Sequence, residues 1–282
     1  MSKVAIVTDS TAYLPKDLVK KYNITVAPLV VVWGDETYRD DIDMTPTEFY
    51  TRLATAEVMP TTSQATIKDF KEAYDRLHAE GYEILSILIS EKLSGTISSA
   101  EQAKKMVPDA TIEIFNSETL VMALGFQVLA AARVAAEGGD MAACKAAAEG
   151  ARDRSGVIFA VDTLEFLHRG GRIGGGARFL GTALKLKPLL EVTGGLVESV
   201  EKVRTKRKAH ARMIAVIAER TAGKKNIRLA TLHANAKADA DRVLDQASEL
   251  MSAVESIHSE VSPVIGTHVG PGTVGLAYTY ED

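Results

Sequence analysis

EILSILISEKLSGTISSA, residues 83–100, opens as an apolar run and passes quickly into small hydroxylated residues. The run 83–90 has no polar–apolar alternation, which is how a strand covered on both faces of a parallel sheet reads. Ordinary helical sequence follows from 96 to 106. The unit is therefore strand, polar loop, helix, with Ser94, Gly95 and Thr96 at the helix start. Free backbone N–H groups and the helix dipole make such a place favourable to an anion. The hydroxyls of Ser94 and Thr96 add donors, and Gly95 lets a ligand come close to the backbone. A serine cap followed by a flexible glycine accounts for the same residues, and the sequence leaves both readings open.

Outward from this unit the pattern repeats. The run ending at Asp9, TIEIF (111–115) and GVIFAVD (156–162) read as further buried strands. Between them lie amphipathic helices. Thr45-Pro46-Thr47-Glu48 is a capping box with proline at the first helical position, so it starts a helix over 45–54. The segment 65–81 places Ile67, Phe70, Tyr74 and Leu77 on one face and stops at Gly81. Alternation of this kind predicts an α/β protein whose N-terminal domain is Rossmann-like, with a largely parallel sheet. The second half differs. KPLLEVTGGLVESVEKV (187–203) has two strand-like runs around Gly194-Gly195, a hairpin signal. A helix (205–221), a strand (226–234), a helix from about 236 and strands near 254–261 and 274–280 complete an α/β domain with antiparallel pairing. No proline- or glycine-rich linker separates the halves, and the boundary is set near 160, giving domains 1–160 and 161–282. The Ala-rich helices at 128–152 read as core-packing sequence.

The 282 residues suffice for two cores, and 46% hydrophobic with 25% charged residues is the balance of a soluble globular chain. A net charge of −4 supplies no basic field for nucleic acid. Cys144 is the single cysteine, which excludes an intrachain disulfide and suits a reducing compartment. The apolar run before Asp9 is too short for a signal peptide. ITVAPLVVVWG, the longest apolar stretch, falls short of the roughly 18 residues of a membrane span. A cytoplasmic protein is expected.

Two more loops carry hydroxyls beyond what turns require: TDSTAYLP (8–15) and MPTTSQA (59–65), the latter with Thr61, Thr62, Ser63 and Gln64. In a doubly wound sheet such loops converge on one edge, where ligands bind. Near the C-terminus THVGPGTVG (267–275) spells G-x-G-x-x-G, but a dinucleotide site needs a following βαβ unit, and too little chain remains. Its loop instead permits tight packing and places His268 where it can face a ligand, or where it is simply a hydrogen-bonded structural histidine. LHRGGRIGGGARF (167–179) lacks the order of a phosphate-binding P-loop and reads as a hinge or tight turn. Glu165 and His168 form only a lone i, i+3 pair, so no metal is expected. Arg204, Lys206, Arg207 and Lys208 suit a phosphate or an acidic partner, or make one solvated helix face. Ser94 as nucleophile with His268 as base lacks both the G-x-S-x-G setting and an orienting acid.

Taken in order, TDST, TTSQ (61–64), SGT with SSA behind it, GGRI (170–173), KPLL, RTKRKA (204–209) and HVGPGTVG resemble the DegV family across essentially the whole chain. The resemblance implies a two-domain α/β protein that binds one long-chain fatty acid between its domains. It also implies presentation of that acid to a separate fatty acid kinase, which phosphorylates the carboxylate. Thr62 and Ser63 match the TSQ segment, and Ser94, Gly95 and Thr96 match SGT; these would hold the carboxylate, with His268 nearby. Arg204 matches an arginine implicated near the head group and in partner function. Ile97 stands where the family often has an aromatic residue, and Ala65 where it often has proline. The expectation is a lipid-binding protein without catalytic residues or cofactor, its ligand a long-chain fatty acid. The alternatives are a serine hydrolase or acyltransferase using Ser94 and His268, and a regulator that binds a phosphate ligand.

Overall fold

The computed structural model describes residues 3–179 and 186–282. In chain order the first half comprises β1 (Lys3–Asp9), α1 (Lys16–Lys21), β2 (Thr25–Ala27), β3 (Val30–Trp33), β4 (Glu36–Arg39), α2 (Pro46–Leu53) and β5 (Thr61–Ser63). It continues through α3 (Ile67–Ala79), β6 (Tyr82–Leu88), α4 (Thr96–Lys105), β7 (Ile112–Asn116), α5 (Val121–Ala136) and α6 (Met141–Asp153). The second half adds β8 (Ser155–Ala160), α7 (Glu165–Arg169), β9 (Lys187–Thr193), β10 (Leu196–Val203), α8 (Lys206–Arg220) and β11 (Lys225–His233). It ends with α9 (Lys237–Met251), β12 (Glu255–Glu260), α10 (Pro263–Val269) and β13 (Val274–Glu281).

The apolar runs of the first half make a parallel sheet in the order β2-β1-β6-β7, with Ile84, Leu85, Ile87 and Leu88 of β6 fully buried. The capping box forms as the sequence predicts: Glu48 N–H donates to Thr45 Oγ1, and the Thr45 N–H to the Glu48 carboxylate at 2.9 Å. The face of α3 is likewise as expected, with Phe70, Tyr74 and Leu77 fully buried. Each such side chain contributes about 1.5–3 kcal/mol by leaving water.

The second sheet is mixed, in the order β10-β9-β8-β13-β11-β12, with only β11 and β12 parallel among its pairs. Gly194 and Gly195, at φ +55° and +81°, make the turn between β9 and β10. Two features depart from the sequence reading. The strand at 156–162, grouped with the parallel runs, pairs antiparallel with β13 and β9 in the six-stranded sheet. The segment 59–65, read as a loop, contains β5, which joins β3 and β4 in a small antiparallel sheet. Three residues are too few to show an alternation.

Helix α5 explains how the halves meet. It is buried on almost every face and packs against β1 and β6 on one side and β8, β11 and β13 on the other. One apolar core therefore runs from the parallel sheet through α5 onto the six-stranded sheet. A second core lies across the far face of that sheet, under α8 and α9.

Candidate functional site

The carboxyl edge of the parallel sheet is held in shape by Asp9 at the end of β1. Its buried carboxylate accepts the N–H groups of Ile89 (2.8 Å) and Thr11 (3.0 Å), which fixes the chain as it leaves β6. The loop then tightens, Leu93 and Ser94 N–H both donating to Ser90 O at 3.0 and 3.1 Å. Helix α4 starts at Gly95 with no capping side chain and no acid in its first turn. Helices α2 and α3 carry Glu48 and Asp69 in that position. The N-terminus of α4 thus presents its positive end without a carboxylate of its own. Ser94 Oγ lies 2.9 Å from Thr96 Oγ1 and accepts the Thr96 N–H at 3.3 Å.

Across from this helix start, β5 brings Thr62 to His268, with Oγ1 and Nε2 2.8 Å apart. His268 stands in the last turn of α10, not in a loop as its glycine-rich surroundings suggest. Its Nδ1 is buried without a hydrogen-bond partner. Burial, and then the positive charge of Arg172, pull its pKa down to about 4, so the ring is neutral at pH 7. Gly170 makes this seat: a Cβ there would stand 2.1 Å from His268 Nδ1. The glycine run of 170–176 therefore does more than turn the chain. It also carries Arg172, whose guanidinium donates from Nε to Leu93 O (3.1 Å) and from Nη1 to Gly170 O (2.8 Å).

These residues frame one corner of a cavity of about 860 Å³, the solvent at its mouth included. Thr62, Ser63, Gln64, Ser94, Gly95, Arg172 and His268 line the polar corner. The remaining walls are nearly all apolar. Val157 and Phe159 come from β8, Val192 and Val197 from the hairpin, Leu120 and Val121 from the start of α5. Val264, Ile265 and Val269 of α10 close one side. The cavity is bounded by both halves of the chain.

Of the residues singled out from the sequence, Thr62, Ser63, Ser94, Gly95 and His268 come together here. Thr96 does not line the cavity: it is fully buried behind Ser94, whose hydroxyl it orients. Arg204 is exposed just beyond β10 and is not among the lining residues. Arg172 was missed because an arginine inside a glycine run resembles turn sequence. Gly95 fits tightly, since a Cβ there would meet the Gln64 side chain at 3.3 Å. The Ser94–His268 pair of the hydrolase alternative is not assembled. Nε2 of His268 faces Thr62, Ser94 Oγ faces Thr96, and no carboxylate bonds to Nδ1. Among the described residues there is no metal-binding cluster, and no helix is long and apolar enough to cross a membrane.

Residues 3–281 match the sequence profile of a family described as uncharacterised proteins of the DegV family. A DegV domain-containing protein of Halalkalibacterium halodurans is 36% identical over 282 residues, covering the whole of both chains. Among solved structures, a Thermus thermophilus DegV family protein described for its fatty acid binding is 35% identical. It superposes with a TM-score of 0.92 over 99% of each chain. DegV of Bacillus subtilis, described as a fatty acid binding protein, has a TM-score of 0.92 at 34% identity over the full length of both.

Proposed function

The chain belongs to the DegV family, and from that premise we propose that it binds one long-chain free fatty acid in the cavity between its halves. The observation that carries this reading is the division of the cavity into one polar corner and otherwise apolar walls. That is the complement of an anionic head on a hydrocarbon tail. The carboxylate sits at the uncapped start of α4, accepting from the hydroxyls of Ser94 and Thr62 and from the exposed Ser63, with the Arg172 guanidinium adjacent. His268 sets the direction of the Thr62 hydroxyl. As a neutral ring it donates from Nε2 to Thr62 Oγ1, which frees the Thr62 hydrogen for the ligand. Nδ1 is then the unprotonated nitrogen, the less costly one to leave buried without a partner.

The tail supplies most of the affinity. Roughly 15 methylenes at about 0.8 kcal/mol each give a gross term near 12 kcal/mol, offset in part by the entropy of association. A phosphate ligand would use the polar corner and leave the apolar walls wet. The protein is read as a carrier, since among the described residues Ser94, His268 and a carboxylate are not brought together as nucleophile, base and orienting acid. Presentation of the acid to a separate kinase is the further role that the resemblance implies. Arg204, exposed and outside the cavity, suits a contact with such a partner and not one with the ligand.

Denaturing extraction of freshly purified protein followed by mass spectrometry tests the reading. Near-stoichiometric long-chain fatty acid is expected from the native chain, and a much reduced amount from Thr62→Ala/Ser94→Ala. An empty extract from protein that also takes up no added fatty acid would overturn it.

A further inference from the structure

Helix α10 supplies His268 and one wall of the cavity, and Pro263 in its first turn suits its start. Ser262 occupies the capping position and makes no cap bond to the helix. The acceptor comes from the other half of the chain. Asp40, just past β4 and 2% exposed, accepts the Val264 N–H at Oδ1 (3.0 Å) and the Ser262 hydroxyl at Oδ2 (2.7 Å). Ser10 also donates to Oδ2 at 2.7 Å. The same residues continue into the cavity wall: Asp40 N–H donates to Leu29 O at 2.9 Å, Leu29 N–H to Ser10 Oγ at 3.1 Å, and Leu29 lines the cavity. Tyr13 completes the arrangement with its hydroxyl 2.7 Å from Ser262 Oγ.

We propose that Asp40 is the positioning residue of the ligand site: a helix cap given across the interface, which seats α10 and thereby sets His268 and the apolar wall against the bound acid. This rests on the fatty acid reading. A buried carboxylate with three donors is a strong anchor, and removing it leaves three polar groups without an acceptor. Helix α10 forms one wall of the cavity, so loosening it is expected to raise the rate of release.

The anchor has a pH signature. Burial raises the Asp40 pKa from 3.8 to about 6, against the lowering effect of its three donors. When α10 lifts, the carboxyl returns to water and to its ordinary pKa. The seated state therefore binds the proton more tightly than the lifted one, and ionisation favours lifting. Release is slow below about pH 6 and accelerates as pH rises through it. The other charged or titratable groups around Asp40 are Asp41 beside it, Asp9 at the end of β1, Tyr13 just after it, Lys16 of α1, Tyr50 of α2, and His258 and Glu260 of β12. All of them remain in Asp40→Asn.

The experiment follows dissociation of a naturally fluorescent polyene fatty acid from the full chain by stopped flow, between about pH 5.5 and about pH 7.5. Asp40→Ala is expected to release it roughly ten- to a hundredfold faster and to shift the NMR signals of the His268 ring. Asp40→Asn still accepts the Val264 N–H through its carbonyl but turns an NH2 group toward the Ser10 and Ser262 hydroxyls, so it releases faster than the wild type, less so than Asp40→Ala, and without the pH step. Ser262→Ala removes one donor and keeps the carboxylate; it gives a smaller acceleration and serves if Asp40→Ala does not fold. Wild-type rates in both Asp40→Ala and Ser262→Ala, or a pH step that survives in Asp40→Asn, would overturn the proposal. A wild-type chain that takes up no fatty acid overturns the functional reading instead. The seating of α10 is then decided by the His268 ring signals, and no shift in either variant overturns it.

Discussion

Burial acts in opposite directions on the two residues that fix α10 to the first half, and the signs can be worked through. His268 has a folded pKa of about 4 against an ordinary 6.5. As pH falls through that window the unfolded chain takes the proton first, so the fold loses stability, in all about 3 kcal/mol. Asp40 has a folded pKa of about 6 against 3.8. There the folded chain takes the proton first, and stability rises by a similar amount as pH falls from 6 to 4. The two trends offset each other over nearly the same range. His268→Gln removes the first and leaves the second. Its melting temperature, relative to wild type, is expected to climb by several degrees between about pH 7 and about pH 4.5. Thermal melts across that range check this, and a difference that stays constant with pH would mean that His268 is not held neutral by the fold. None of this was legible in the sequence. His268 was picked out for its glycine-rich setting, but its depressed pKa comes from burial and then from Arg172, and the ring packs against Gly170; both partners lie in a segment read as a turn.

The hairpin of β9 and β10 was legible because Gly194-Gly195 is a local signal: a tight turn needs positive φ, which glycine adopts without strain. What the sequence did not convey is that the turn docks onto the site loop. Ser90 Oγ donates to Gly195 O and Lys92 Nζ to Gly194 O, each at 2.8 Å. A Cβ at Gly195 would stand 2.6 Å from Ser90 Oγ, while one at Gly138, also at positive φ, would meet nothing within 4 Å. Both substitutions to alanine strain the backbone, but only Gly195→Ala also breaks the contact. Urea unfolding is expected to show about 1 kcal/mol lost in Gly138→Ala and roughly 2–3 kcal/mol in Gly195→Ala. Equal losses would show that the docking contact adds nothing. The capping box of α2 and the apolar face of α3 were legible for the same reason as the hairpin, being set by residues within a few positions of one another. β5, the sheet to which β8 belongs and the seat of α10 are settled by partners far along the chain. One sequence without its fold holds no local trace of them.

Across the whole molecule, tunnel and core are built from the same residues. Val157, Phe159 and Leu232 line the cavity, yet in sequence they read as any buried strand. This is why Thr62, Ser63, Ser94, Gly95 and His268 of the polar corner could be named from the sequence, though not Arg172, and the walls could not. On the proposed reading a bound acid is part of the contact between halves, so occupancy should stabilise the fold by mass action. The same linkage separates a tail-driven carrier from an anion site. If the walls take up the tail, each methylene added to a saturated acid strengthens binding until the cavity is filled, by up to about fourfold if all of its 0.8 kcal/mol is realised. The melting temperature of delipidated protein should then rise steadily with acids of about 8 to about 16 carbons at fixed concentration, and level off once the chain outgrows the cavity. Inorganic phosphate should move it little. If the polar corner alone carried the binding, short and long acids would shift the melting temperature equally and phosphate would compete with both. The slope of stability against chain length therefore measures how much of the affinity the apolar walls provide. The length at which it flattens gives the size of acid the two halves enclose.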